Sequence, residues 1–251
     1  MKRTALVRPV PHSYDRCLRE KAVPIDVERA RRQHAEYVEA VRAAGWAVVM
    51  LPTLDEAPDS VFVEDPAVVL SRHLLLARVG AESRRVEGAS IARLMGGFEQ
   101  VTMEAPATLD GGDVLRVDHF VFVGISARTN EAGFEVLASV ARAEGLQPVA
   151  VPLRDGLHLK SACTRVGNAV IGRFDAVDRA PFAERGISTL DAPELWGANV
   201  LDLGETVLVS ASAPETAALL GPRARMVDVS EFHKGDGALT CLSIRLRPEG
   251  Q

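Results

Sequence analysis

Apolar and polar positions alternate along this chain in two periods, and the two periods take turns. A helical period, with apolar residues recurring every three or four positions, runs through ERARRQHAEYVEAVRAAG and leads into the strand-like WAVVMLPTLDEAPDS. The same order returns in SRRVEGASIARLMGG before FEQVTMEAPATLDGGD, and in NEAGFEVLASVARAEG before LQPVAVPLRDGLH. Shorter versions follow in DRAPFAERG before ISTLDAPELWGAN and in PETAALLGPRAR before MVDVSEFHKGDG. The strand starts fall at Trp46, Phe98, Leu146, Ile187 and Met226. A recurrence of about 40–50 residues is the signature of a repeat architecture.

A second pattern follows each polar loop: two alternating apolar runs joined by a turn, as in AVVLSRHLLLARV, DVLRVDHFVFVGI, CTRVGNAVIGRF and NVLDLGETVLVSA. VGN and DLGE read as hairpin turns. After the fifth loop only one such run remains, TCLSIRLR, in which Cys241 opens the strand. The opening run RTALVRP supplies its missing partner, so the two ends of the chain complete one sheet and protect edges that an open array exposes. The expectation is one α/β domain over residues 1–251, with five units set around an axis.

In such a ring the equivalent loops converge, so what they carry matters. The first carries Asp59, Glu64 and Asp65, the second Asp110 and Asp113, the third His158 and Lys160, the fourth Asn199, and the fifth Asp236 and Cys241. Carboxylates, an imidazole and a thiol would meet in one place.

Composition narrows the classes. At 47% hydrophobic over 251 residues the chain buries a sizeable core. AGWAVVML and HLLLARVG fall well short of the roughly 20 apolar residues a membrane-spanning helix needs, and MKRTALVRPVPHSYD lacks the apolar segment of an export signal. A cytoplasmic protein is expected. A net charge of -5 with no basic run argues against nucleic acid or an anionic membrane as partner and for a small molecule. Cys17, Cys163 and Cys241 lie far apart, without the CxxC spacing of zinc sites, so free thiols and no metal are expected.

DSVFVEDP, GAESRR, TLDGGDVL, GISARTN, DGLHLKS, GAN and DGALTC resemble, in order and spacing, the dimethylarginine dimethylaminohydrolases of the guanidino-group-modifying superfamily. The resemblance spans the chain from first strand to last and is weakest between Gly172 and Leu195. It implies a five-bladed α/β propeller that hydrolyses Nω-methylated arginines to citrulline and a methylamine, without metal or organic cofactor, and leaves a homodimer open. It makes Cys241 the nucleophile, His158 the general acid and base, and Asp110 the group that orients His158. Some members have EAGD where this chain has DGGD. Glu64 and Asp65 would hold the guanidinium, while Asp59, Arg84 and Arg128, with main-chain groups of Leu18 and Gly235, would hold the amino-acid end. The unassigned stretch from Pro11 to Lys21 suggests a lid.

The chemistry fits these residue types. A guanidinium carbon is a poor electrophile, which calls for a thiolate, and flat carboxylate acceptors suit its donor edge. Taken singly, each residue has a plainer account. Cysteines on strands are usually core, which is the reading kept for Cys17 and Cys163. The glycines of DGGD make a turn, Asp113 is structural, and Arg84 beside Arg85 is a solvated helix start. His12, His34, His73, His119 and His233 are packing or surface residues. The competing functions are an arginine or agmatine deiminase, a more distant amidinotransferase, and a non-catalytic binder of arginine-like ligands, although a binder has no use for the Cys/His pair.

Overall fold

The computed structural model describes residues 2–246. Met1 and residues 247–251 lie outside the described residues, and with them the ends of the 1–251 domain and of the run TCLSIRLR.

Helix α1 (Val27–Ala43) shows how local sequence sets the architecture. Asp26 caps it, its side chain accepting the Arg29 N–H, which satisfies one of the orphan donors at a helix start. The apolar stripe buries Ala30, Tyr37, Val38 and Val41. Gly45 follows with φ +83°, a conformation that suits glycine at a helix end. The chain then enters β2 (Ala47–Met50), which pairs in parallel with β1 (Thr4–Val7), the strand before the helix.

That move recurs. Each strand that follows a helix folds back onto the hairpin preceding that helix. The hairpin β3 (Ala67–Val69) and β4 (His73–Leu76) is antiparallel, and β5 (Glu99–Thr102) joins β4 in parallel after α2 (Gly88–Leu94). Next come β6 (Val114–Val117), β7 (Phe120–Ile125) and β8 (Gln147–Pro152), with α3 (Glu131–Ala143) as the crossover. The short helix α4 (Leu159–Ala162) precedes β9 (Cys163–Val166), β10 (Ala169–Gly172) and β11 (Thr189–Asp191), with α5 (Ala180–Ala183) before β11. Finally β12 (Leu201–Asp202), β13 (Val207–Ser210) and β14 (Ala224–Val227) are arranged the same way around α6 (Pro214–Leu220).

The last strand, β15 (Ile244–Leu246), pairs antiparallel with β1, Ala5 opposite Arg245. The join between first and last strands expected from sequence is therefore present. One detail differs: Cys241 lies in a 3-10 turn, Thr240–Leu242, and the strand starts after it. Among the described residues the result is a mixed α/β fold of five three-stranded sheets in a pseudo-fivefold arrangement.

Burial grades across each sheet. The middle strands β1, β4, β7, β10 and β13 are buried or half-buried throughout, and the outer strands after the helices are largely exposed. The apolar clusters lie between sheets and helices. The largest joins α1 to Tyr14, Phe62 and Phe232, and a second gathers Phe122 and Phe182. A fully buried phenylalanine such as Phe232 contributes roughly 1.5–3 kcal/mol by leaving water. No helix among the described residues is long and apolar enough to cross a membrane.

Candidate active site

The site is built on loops rather than strands. His158 sits in extended backbone just before α4, 4% exposed. Its Nε2 lies 2.9 Å from Oδ2 of the buried Asp110. Asp110 Oδ1 accepts the Gly80 N–H at 2.7 Å, so the carboxylate is fixed from both sides. Asp113 positions the same loop from behind: Oδ1 accepts the Leu159 N–H, and Oδ2 accepts the hydroxyls of Ser126 and Thr129.

The two glycines of DGGD do more than turn the chain. A Cβ on Gly111 would stand 2.0 Å from the Glu64 carbonyl oxygen, and one on Gly112 would stand 2.6 Å from His158 Nδ1. Both positions therefore exclude a side chain so that loops one, two and three can touch.

Loop one closes against loop five. The Glu64 N–H donates to the Cys241 carbonyl at 3.3 Å, which sets the thiol beside two acidic residues. Neither acid presents an unoccupied edge. Glu64 Oε1 is paired with Lys160 Nζ, and Oε2 accepts the Thr240 hydroxyl at 2.8 Å. Asp65 Oδ2 meets Arg84 Nη1 at 2.6 Å, while Oδ1 accepts the Gly112 N–H.

Arg84 differs from its sequence reading in two ways. It is buried rather than solvated, and its donors go to Asp65, to both oxygens of Glu87 and to the Phe62 carbonyl. A guanidinium so committed has its charge compensated inside the protein. That commitment makes it the support of Asp65.

The electrostatics follow from this crowding. Burial works against a charged imidazole at His158, but the facing Asp65, the hydrogen-bonded Asp110 and Asp113 outweigh it and raise the pKa to about 9. Burial likewise works against ionised Asp65, yet His158 and Arg84 hold its carboxyl below the usual range. For Cys241, burial and the negative charges of Glu64 and Asp65 push the thiol up to about 12, with Lys160 opposing. The resting pair at neutral pH is thiol and imidazolium. No hydrogen bond joins the two side chains among the described residues.

A stability prediction follows. Relative to an unfolded value near 6.5, the raised His158 pKa contributes stability that is fully present below pH ~6.5 and lost as pH rises through about 9. Urea midpoints should fall across that window, and the fall should shrink in His158→Asn. A wild-type midpoint that stays flat from pH 6.5 to 9 contradicts the assignment.

Asp65, Asp110 and His158 each place one ligand atom within 4.8 Å of the others, a grouping able to hold a cation. Gly112, Arg84 and Gly80 already bond the carboxylates, and an imidazole with a pKa near 9 favours a proton over a metal at neutral pH.

The remaining expected residues lie around Asp59 and the stretch from Pro11 to Lys21. Both oxygens of Asp59 accept the Leu18 N–H, at 3.1 and 3.3 Å. Burial raises the Asp59 carboxyl pKa despite the opposing charges of Arg84 and Arg128. Arg128 is half-buried, with Nη1 out of contact with water and without a hydrogen-bond partner. Gly235 packs so close to Tyr14 and Cys17 that a Cβ would stand 2.8 Å from the Tyr14 hydroxyl. The stretch from Pro11 to Lys21 is pinned at several points, by buried Tyr14, by Leu18 on Asp59 and by the Glu20 N–H on Asp236.

Sequence reasoning passed over Thr240, Glu87 and the work of Asn199. Asn199 Nδ2 donates to the Lys160 carbonyl and the Thr240 hydroxyl, and Oδ1 accepts the Thr240 N–H. Only the adjacency of Thr240 to Cys241 and the three-residue spacing from Arg84 to Glu87 hinted at these roles.

The chain is similar to known proteins along most of its length. A family model described as N,N dimethylarginine dimethylhydrolase, eukaryotic, matches residues 12–171. The N(G),N(G)-dimethylarginine dimethylaminohydrolase of Streptomyces coelicolor is 43% identical over 232 residues, 89% of this chain and 88% of that protein. The Pseudomonas aeruginosa protein of the same name is 35% identical over 228 residues, 88% of this chain and 89% of its own length. The solved structure of a cysteine-to-serine mutant of the Pseudomonas aeruginosa enzyme, complexed with citrulline, superposes with a TM-score of 0.88 at 31% identity, covering 98% of this chain and 100% of that one. With likeness at this level along nearly the whole chain, and a thiol, an imidazole and paired acids gathered by its loops, the protein belongs to the dimethylarginine dimethylaminohydrolase family.

Proposed function

We propose that this protein hydrolyses Nω-methylated L-arginine to L-citrulline and a methylamine, with Cys241 as nucleophile, His158 as general acid and base, and Asp110 as the orienting carboxylate. The observation that carries the reading is the contact of loops one and five, which sets Cys241 beside Glu64 and Asp65 while Asp65 faces the His158–Asp110 pair.

In the proposed cycle the substrate guanidinium settles against Glu64 and Asp65, whose oxygens each retain a lone pair for a further donor. The added positive charge lowers the Cys241 pKa, and the thiol proton leaves to solvent. The thiolate adds to the guanidinium carbon. His158 as imidazolium protonates the departing nitrogen, the C–N bond breaks, and a cationic thiouronium remains on Cys241. Neutral His158 then takes a proton from water as its oxygen adds to the same carbon. Collapse of the second adduct breaks the C–S bond, the adduct's hydroxyl proton passes to sulfur, and citrulline leaves. At the other end, the unpartnered Arg128 Nη1 suits the substrate carboxylate. Asp59 and the carbonyls of Leu18 and Gly235 suit its ammonium. Arg84 acts by holding Asp65, and with it the acidic wall, in shape.

Lys160 decides between methylated and plain arginine. It occupies Glu64 Oε1, and an ammonium accepts no hydrogen bond, whereas arginine deiminases typically carry an aspartate two residues after the catalytic histidine. Unmethylated N–H donors would be left short of acceptors, at about 1–3 kcal/mol each. A buried methyl adds roughly 0.8 kcal/mol. We expect kcat/KM to favour asymmetric dimethylarginine and monomethylarginine over arginine by about 10- to 1000-fold, measured as citrulline release under one set of conditions. Arginine as an equal or better substrate would replace this reading with a deiminase.

We also read the five sheets as blades of one closed propeller domain, supported by the β1–β15 pairing and by the contacts of β15 with β3, β6 with β9 and β9 with β12. Unpaired cysteines suit a reducing, cytoplasmic setting.

A further inference from the structure

Apart from the catalytic loops, the molecule has a central cavity of about 610 Å³, lined by the inner strands of all five sheets. Cys241 and His158 are not among its walls. Glu64, Lys160 and Thr240 are, so the cavity lies behind the pair that supports the catalytic pocket.

The hairpin registers put one residue from each inner strand at an equivalent level. Val69 faces Leu74, Arg116 faces Val121, Arg165 faces Val170, Asp202 faces Val207 and Arg245 faces Ala5. In four sheets the facing residue is the second of the middle strand, and in the β12–β13 sheet it is the first. All five inner residues line the cavity. The level thus carries three guanidiniums against one carboxylate.

That carboxylate is committed elsewhere: Asp202 accepts the N–H groups of Gly167 and Gly204 and a donor of Arg223. The arginines instead bond main-chain carbonyls. Arg116 Nε donates to Asp118 and Arg165 Nε to Gly167, in each case two residues ahead in the hairpin turn, and Arg245 Nη1 donates to Asp202. Anchoring at Nε leaves the Nη groups of Arg116 and Arg165 for another partner. Neither these two nor Arg245 forms an ion pair with a carboxylate among the described residues. Burial lowers the Arg165 pKa against the opposing charge of Asp202, and the nearby charges of Arg245 and Arg116 add to the lowering, with Asp118 opposing. Gathered like charges of this kind are relieved by an anion, and guanidinium forks match planar or tetrahedral oxyanions.

We propose that the central cavity binds a small multivalent oxyanion, a phosphoryl or polycarboxylate compound, through Arg116, Arg165 and Arg245. The proposal is independent of the hydrolase reading, since it uses no residue of the catalytic loops.

Isothermal titration calorimetry of the whole protein with inorganic pyrophosphate, and separately with citrate, tests it, each against sodium chloride at matched ionic strength. Saturable one-site binding is expected for at least one of the two. Tighter pyrophosphate binding identifies a phosphoryl ligand, and tighter citrate binding a carboxylate one. The double variant Arg165→Gln/Arg245→Gln should weaken binding by at least about tenfold. Should that variant fail to fold, Arg116→Gln, on an exposed side chain, should still weaken it by about threefold or more. Arg128→Gln, at the other anion-seeking arginine, should bind as wild type. Absence of binding beyond the chloride control, an Arg116→Gln affinity equal to wild type, or loss of binding in Arg128→Gln overturns the proposal.

Discussion

Cys241→Ser is expected to reduce turnover of asymmetric dimethylarginine by a factor on the order of 10⁴ or more, because removal of a nucleophile deletes the covalent route entirely. The change is close to isosteric, and the backbone contacts that hold the turn, including the Glu64 N–H on the Cys241 carbonyl, do not involve the thiol. Circular dichroism and the thermal midpoint should therefore match wild type. The other cysteines provide an internal control. Burial pushes Cys17 up to about 11 and raises Cys163 as well, and neither adjoins Glu64 in the way Cys241 does. A chloroacetamidine-type reagent carries the cation that this pocket selects, so it should alkylate Cys241 first, and more slowly when citrulline occupies the site. Inactivation tracking the labelling of Cys17 or Cys163 would remove Cys241 from the mechanism.

Asp110→Asn should lower kcat by roughly 10²- to 10⁴-fold with little change in KM. The carboxylate contributes most when His158 is cationic, and in the proposed cycle the cation is the form that protonates the leaving amine. The amide keeps the shape of Asp110 and still accepts the Gly80 N–H, so the loop should survive. What is lost is the negative charge 2.9 Å from Nε2. With it goes part of the cause of the raised pKa, so the alkaline limb of the kcat profile should move down from about pH 9. A structural role alone would change stability without moving that limb. An unchanged kcat reduces Asp110 to a turn residue.

Much of this arrangement was readable before any coordinates, because the repeat rests on local periodicity and each candidate loop follows a recognisable helix and strand. The pairing of RTALVRP with TCLSIRLR was readable by elimination, since one hairpin lacked a partner. What could not be read depends on contacts distant in sequence. Lys160 and Glu64 stand 96 residues apart, and nothing near either predicts their pairing. Arg84 looked solvated because SRR shows only charge, whereas burial follows from Asp65 and Glu87 closing around it. The alternation of TCLSIRLR placed Cys241 in a strand, but Thr240 is drawn to Asn199 and Glu64, and the chain tightens there into a turn. DGGD looked like an ordinary turn because close approach of a second loop leaves no local mark.

The antiparallel mate of β1 is the last described strand, and the thiol stands just before it. Translation at about 5–20 residues per second leaves β1 without that mate for about 10–50 s, the time taken to make the residues between the two strands. The nascent polypeptide holds an open inner edge throughout that interval, and Cys241 is made only just before the mate itself. A premature stop anywhere between the two strands and ahead of the thiol removes clasp and thiol together, so such an abortive translation product is at once unclosed and without the proposed nucleophile.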